Sequence, residues 1–288
     1  MFSFLVRLLS FANLNNELFI QKHNDLNLSY TVTQNQFIDT NYTGEFSLQT
    51  NNHYIPYDKE NPIQFENDIV PFQVDWRKNH KVSSVKNQEK CGGCWAFSSS
   101  GAVESAWAIQ HNVVYNLSQQ ELIDCSTDYG NKGCSGGSMD LGFKYIIDNG
   151  LCTNQSYPYQ AMDQECQKDQ CTSVVNISNY GDLDPNDELN LKRGVAKQPV
   201  SVAIQANKRS FQLYQSGIYS DLECGTQLDH GVLVIGYGFD LETDIPYWII
   251  KNSWGKEWGE NGYIRIQRNV DDQRGLCGIA MQPSIPII

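Results

Sequence analysis

The chain has 288 residues, 40% hydrophobic and 19% charged, a globular composition with length for about two domains. Its 33 acidic against 21 basic side chains leave a net charge of −12, which argues against nucleic acid as a partner, because neutralising phosphates takes Lys and Arg in excess. No apolar run reaches the ~20 residues of a membrane-spanning helix, and the nine cysteines, an odd number, fit an oxidising compartment better than a reducing one.

Met1 to Ala12 is mostly apolar, interrupted by Arg7, and ends in the small-x-small pattern Ser10-Phe11-Ala12. It reads either as a short secretory signal or as the apolar face of a helix whose beginning precedes it. Residues 13 to 68 are polar and contain no cysteine, whereas all nine cysteines and all six tryptophans follow Val70, so a boundary falls near residue 69. Residues 1–69 carry three basic and eight acidic side chains, against 18 and 25 afterwards. Both parts are acidic, so bulk charge attraction does not hold them together. Five Asn-x-Ser/Thr sequons, at Asn27, Asn41, Asn116, Asn154 and Asn176, permit a secretory route without requiring it.

The next informative segment is Cys91-Gly-Gly-Cys94, followed by Trp95, Ala96, Ala102, Val103, Ala106, Trp107 and Ile109 at helical spacing, with Glu104 in the same run. The spacing predicts a buried helix from about Cys94, with Gly92 and Gly93 as the turn before it. A cysteine at a helix N-terminus meets unpaired N–H groups and the positive end of the dipole, which favour its thiolate. The C-x-x-C pair admits a zinc site, a redox pair, a structural pair, or one disulfide cysteine beside one nucleophile. Zinc lacks a second ligand pair and a redox pair lacks a βαβ context; the odd cysteine total favours the nucleophile.

A nucleophilic cysteine needs a base. Of five histidines, His23 and His53 lie in the polar segment, His80 in a charged stretch and His111 at the helix end. His230 opens an apolar run to Gly238 that reads as a buried strand, and a second run from Tyr247 ends at Asn252. A lone histidine at a strand end is more often structural, but the paired strands, the terminal Asn and the activated cysteine reverse that reading. Asp229, beside it, reads equally well as a solvated carboxylate or as an influence on catalysis.

These segments, with Val74-Asp-Trp-Arg77, Asn87-Gln88, Gly133-Cys-Ser-Gly-Gly137, Tyr157-Pro-Tyr159, Gln198-Pro-Val-Ser-Val202, Leu228-Asp-His-Gly231 and Lys251-Asn-Ser-Trp-Gly255, carry a family resemblance. Over residues 70–288 the chain resembles the papain family of cysteine proteases, of the cathepsin L type, in zymogen form. Gly93 stands where the family commonly has Ser. The resemblance implies an α+β, papain-like fold: a partial inhibitory propeptide at 1–69, a mostly helical left domain at 70–180 and a β-barrel-like right domain at 181–288, with the active-site cleft between them. It implies Cys94 as thiolate nucleophile, His230 as its imidazolium partner in a resting ion pair, Asn252 orienting the ring beneath Trp254, and Gln88 with the Cys94 N–H as oxyanion hole. It also implies Gly136 and Gly137 holding substrate backbone, and Ser138, Met139, Ala203, Leu228, Gly231 and Gln282 lining a pocket for an apolar P2 side chain. The disulfides it implies are Cys91–Cys134, Cys125–Cys166 and Cys224–Cys277, with Cys152–Cys171 as a fourth that resembles the falcipain branch. Asn16, Ile20 and Asn24, then Asn35, Phe37 and Asp39, look like the end of the family's propeptide, with maturation expected between Asp68 and Val70. Expected partners are protein and peptide substrates, the chain's own propeptide and cystatin-type inhibitors, for a monomer of the secretory or endolysosomal system with no metal or organic cofactor. The rivals are acyl transfer to amines, as transglutaminase-type Cys-His enzymes perform, and a catalytically inactive homologue acting as a binding protein.

Overall fold

The protein is described from a computed structural model covering residues 15–38, residue 63 and residues 70–288. The signal-like residues 1–12, Asp39, Asn41, His53 and the maturation segment before Val70 lie outside these.

Residues 15–25 form helix α1, followed by strand β1 (Tyr30–Val32). Asn24 clamps the two: its Nδ2 donates to Val32 O at 2.9 Å and its Oδ1 accepts from Val32 N at 3.0 Å. Strand β2 (Val74–Asp75) comes next. Helix α2 (Cys94–His111) begins at the expected nucleophile and ends where Asn112 turns left-handed, at φ 57°. Fourteen of its 18 residues are buried, because small side chains at Ser98, Ser99, Ser100 and Gly101 let neighbours approach on every side. Helices α3 (Gln119–Cys125) and α4 (Met139–Asn149) pack on one flank. Ser118 caps α3 by accepting the Glu121 N–H at 3.0 Å.

On the other flank lies the sheet, built from β3 (Asn179–Asp182), β4 (Val200–Ile204), β5 (Tyr214–Tyr219), β6 (His230–Asp240), β7 (Ile245–Lys251), β8 (Tyr263–Gln267) and β9 (Ser284–Ile287), with helices α5 (Glu188–Lys197) and α6 (Arg209–Gln212) between them. Its order is β1-β5-β8-β7-β6-β4-β9-β3, with β2 added on β6. Strand β6 is apolar from Val232 to Ile235, without alternation, because both faces are covered there. Val232 and Val234 enter one core with Trp248, Ile250 and Trp258, while Leu233, Ile235 and Ile249 enter the second core with Trp95, Ile123 and Phe143. Two-sided burial erases the polar alternation of a surface strand, and each such aliphatic side chain contributes about 1.5–3 kcal/mol. The shared strand therefore places His230, its first residue, at the junction of the two cores.

Candidate active site

The turn before α2 is tight. A Cβ on Gly93 would lie 2.9 Å from Ile123 Cδ1, and Gly92 N donates to Cys134 O at 2.9 Å. Cys94 follows with no exposed surface. The Gly231 main chain packs directly on this helix end, since a Cβ there would sit 3.3 Å from both N and Cα of Trp95. The first residues of α2 and β6 therefore meet, and the N–H groups of Gly231 and Trp95 both favour the Cys94 thiolate.

His230 Nε2 lies 2.7 Å from Asn252 Oδ1, and the Ser253 N–H donates to the same oxygen at 2.8 Å. A backbone N–H can only meet the carbonyl oxygen, so Asn252 is oriented and the His230 Nε2–H is the donor. Nδ1 is left as the basic nitrogen of the ring. Trp254 stacks on the imidazole at 4.7 Å and 27°, and Phe37 packs against the same indole at 4.7 Å. Gln88 is tied to this corner by Ser253, whose Oγ donates to Gln88 Oε1 at 2.6 Å, and by Tyr159, whose hydroxyl donates to Gln88 O at 2.7 Å. The Gln88 Nε2 donates to Cys91 O at 3.0 Å, which turns the amide toward the start of α2. Ser253 and Tyr159 both lie in motifs of the sequence, yet nothing in the sequence marks them as the supports of Gln88.

Burial governs the charges. It pushes the Cys94 thiol up to about 12 against the pull of the Gly231 and Trp95 amides, and the His230 imidazole down to about 4 despite Asn252. The sequence led us to expect an ion pair; with both groups enclosed, desolvation outweighs the helix end, which contributes at most about 2 kcal/mol, and the neutral pair is favoured. Asp229 is not the solvated carboxylate either. Its Oδ1 accepts from Ala206 N at 2.7 Å, and burial raises it to about 7.

Of the expected pocket residues, Met139, Ala203 and Leu228 share one core cluster. Ala203 pairs with Gly231 across the β4–β6 ladder, and Met139 Sδ lies 3.3 Å from where a Gly231 Cβ would be. Ser138 precedes α4, and Gln282, half-buried, follows Met281, which packs on the same cluster. Gly137 lies against the Trp95 ring, its absent Cβ 2.7 Å from Cε2, while Gly136 has φ 112°.

Behind the site is a buried ion cluster that sequence reasoning missed. Glu104, 1% exposed, accepts from Lys86 Nζ at 2.8 Å, from Leu117 N at 2.7 Å and from the Ser83 hydroxyl, while Lys251 Nζ donates to Ser83 Oγ at 2.8 Å. Burial raises Glu104, but the Lys86 and Lys251 ammoniums outweigh it and the carboxyl is held low. Only the pairing reveals the cluster, since its members lie far apart in the chain. The disulfides are Cys91–Cys134, Cys125–Cys166, Cys152–Cys171 and Cys224–Cys277, leaving Cys94 as the free thiol. Glu121 lies within 4.8 Å of the Cys152 and Cys171 sulfurs, but those two are bonded to each other and the carboxylate accepts from Tyr145 and from Cys152 N, so this trio does not offer a metal site.

A family model described as papain family cysteine protease matches residues 70–287, the part that contains Cys94, His230, Asn252 and Gln88. The chain belongs to this family. Cysteine proteinase RD21A of Arabidopsis thaliana is 46% identical over 275 residues, which cover 93% of this chain and 59% of that protein. The chain spans less than two thirds of the length of the first plant relatives it matches. Among solved papain-family structures, the proform of the ragweed pollen allergen Amb a 11, a cysteine protease, superposes with a TM-score of 0.86 at 36% identity, covering 95% of this chain and 86% of that one. Bromelain of Ananas comosus, solved in complex with the E64 inhibitor, superposes with a TM-score of 0.73 at 41% identity, covering 76% of this chain and all of that one. The papain fold thus accounts for the α+β architecture with two cores, and the proform match extends over the N-terminal segment.

Proposed function

We propose that the chain is an endopeptidase that cleaves internal peptide bonds through a thioester, and that residues 15–38 belong to an inhibitory propeptide. The observation that carries this is the Asn252 amide, oriented by the Ser253 N–H and bonded to His230 beside the head of α2 where Cys94 sits. When a peptide enters, His230 Nδ1 takes the Cys94 proton and the sulfur attacks the carbonyl carbon. The electron pair of the C=O moves to oxygen, where Gln88 Nε2–H and the Cys94 N–H stabilise it by about 3 kcal/mol per donor. The C–N bond then breaks, its electrons leaving with nitrogen, which takes the proton from His230. Water attacks the thioester, His230 removes its proton, and the carboxylic acid leaves as Cys94 recovers its own.

The neutral pair of the enclosed site fits a zymogen, and opening the cleft to water removes the desolvation that disfavours the ion pair. The two domains are taken as 70–180 and 181–288, a division supported by Cys91 to Tyr180 supplying most of one core and Leu183 to Ile285 most of the other. Met139, Ala203, Leu228 and Gly231 make a mostly apolar P2 pocket, with Gln282 too uncharged to welcome Arg. Four disulfides and exposed sequons at Asn27, Asn116 and Asn176 suit a secretory or endolysosomal route. Protein and peptide substrates, the propeptide and cystatin-type inhibitors are the partners proposed for this monomer. An inactive binding homologue is disfavoured because Cys94, His230, Asn252 and Gln88 are all present.

The test is labelling of the acid-activated protein with an epoxide inhibitor such as E64, alongside a peptide library varied at P2. The expected result is one label per chain, lost in Cys94→Ala, with Leu or Phe preferred over Arg. A label that survives Cys94→Ala sinks the mechanism, and equal turnover of Arg and Leu sinks the pocket assignment.

A further inference from the structure

Behind the His230–Asn252 pair, α2, β6 and β7 border a cavity of about 20 Å³ lined by Lys86, Glu104, Gln119, Gly231, Lys251 and Asn252, among others. Three of these side chains have hydrogen-bonding capacity that no described residue uses. The Asn252 oxygen is committed to His230 and Ser253, so the amide nitrogen faces away from the ring; Nδ2 is buried and meets no acceptor among the described residues. Gln119, 1% exposed, donates its Nε2 to Ser100 Oγ at 2.7 Å, and because the Ser100 hydroxyl gives its own proton to Phe97 O at 3.4 Å, Oε1 is the end left buried without a donor among the described residues. Lys251 Nζ carries three protons and gives one, to Ser83. Asn252 Nδ2 and Gln119 Oε1 do not bond to each other, so the amides need a group between them that both accepts and donates.

We infer that this cavity binds one water molecule, which accepts from Asn252 Nδ2 and Lys251 Nζ and donates to Gln119 Oε1, making Gln119 and Lys251 positioning residues for Asn252. The volume suits a single water, for which about 10–15 Å³ suffices, and three polar partners are what a buried water typically has. A cation would face two N–H donors, and an apolar guest would leave all three groups unsatisfied. The bound water resists rotation of the Asn252 amide: a flip would turn the N–H groups toward the His230 Nε2–H and the oxygen toward water and ammonium. The carbonyl therefore stays on the ring, where it supports the imidazolium formed in each half-reaction. Lys86 and Glu104 complete the wall; Glu104 is already saturated by Lys86, Leu117 N and Ser83, which leaves Lys251 able to turn to the water.

The inference rests on Asn252 as the residue that orients His230, and the experiment separates the two. The crystal structure of the wild-type chain, at a resolution that orders internal waters, should show a peak within about 3.2 Å of Asn252 Nδ2, Gln119 Oε1 and Lys251 Nζ. Gln119→Met removes the acceptor at similar volume. In the activated enzyme it should lower kcat about three- to tenfold at unchanged KM and move the alkaline limb of kcat/KM to lower pH, because the imidazolium loses support. Gln119→Glu, which keeps an acceptor oxygen, should return the limb toward the wild-type position. A cavity without the peak, or a Gln119→Met profile that superposes on wild type, overturns the inference; if Gln119→Met does not fold, the wild-type density decides alone. Undiminished kcat in Asn252→Ala overturns instead the role given to Asn252, whatever the cavity holds.

Discussion

At the scale of single residues, burial sets the chemistry more than helix position does. Cys94 and His230 occupy the positions that sequence reasoning marked, but their joint enclosure favours the uncharged forms. Asp229 shows the same force on a carboxylate. Its carboxyl is raised from 3.8 to about 7 by burial, so between these pH values the folded state binds a proton that the unfolded chain does not. Its contribution to stability is therefore full below about pH 4 and lost as pH rises through about 7. Asp229→Asn, which keeps the shape without the charge, should raise Tm over wild type at pH 8 and match it near pH 4. Equal Tm differences at both pH values in thermal unfolding would contradict this. The positions of Cys94, His230, Asn252 and Gln88 were legible because the residues lie in compact local motifs. The charge states were not, since they depend on what encloses the groups.

At the scale of elements, local patterning foretold α2 from Cys94 and strands over the runs opening at His230 and Tyr247. Less legible was why β6 lacks alternation: its two faces enter different cores, which only the folded packing shows. The β5–β8 pairing, parallel through Ile218 and Arg265, and the antiparallel pairing of β1 on β5 were also hidden, because both join distant parts of the chain. The meeting of Lys86, Glu104 and Lys251 was illegible for the same reason, although Glu104 stood out in an apolar helix. Where elements press closest, sequence tolerance should be least. Gly137 abuts Trp95 and Asn131, so Gly137→Ala must displace the indole that follows Cys94. A loss of about 1–3 kcal/mol in denaturant unfolding is expected, with kcat/KM falling alongside; unchanged stability would show that the ring can yield.

For the whole molecule, the N-terminal segment docks on the His230 side of the fold. Phe37 packs on Trp254, Gln36 Nε2 donates to Trp254 O at 3.0 Å, Asn35 Nδ2 donates to Gln212 O at 2.8 Å, and Arg209 donates to Phe37 O at 2.9 Å. His23, which polar surroundings hid in the sequence, is 8% exposed between the Phe19 and Tyr30 rings. Burial lowers it below 6.5, opposed by its hydrogen bond with the Tyr30 backbone and by the Asp221 charge. An undocked His23 therefore takes up a proton as pH falls through about 6.5, whereas the docked one resists, so docking is strongest above that value and weakens toward acid. His23→Phe should dock as firmly at pH 5 as at pH 7 and slow acid activation, followed as the rate of conversion to the mature mass; an unchanged rate would leave the switch to other groups.

Catalysis as proposed passes through an acyl group on Cys94, activated by a His230 held by Asn252. Intact-mass and peptide-map analysis of the activated protein, quenched in acid during turnover of a peptide ester, would capture that intermediate. One acyl group per chain is expected, on Cys94, absent from Cys94→Ala and accumulating more slowly in Asn252→Ala. Turnover without an adduct on Cys94, or undiminished turnover in Cys94→Ala, would contradict it.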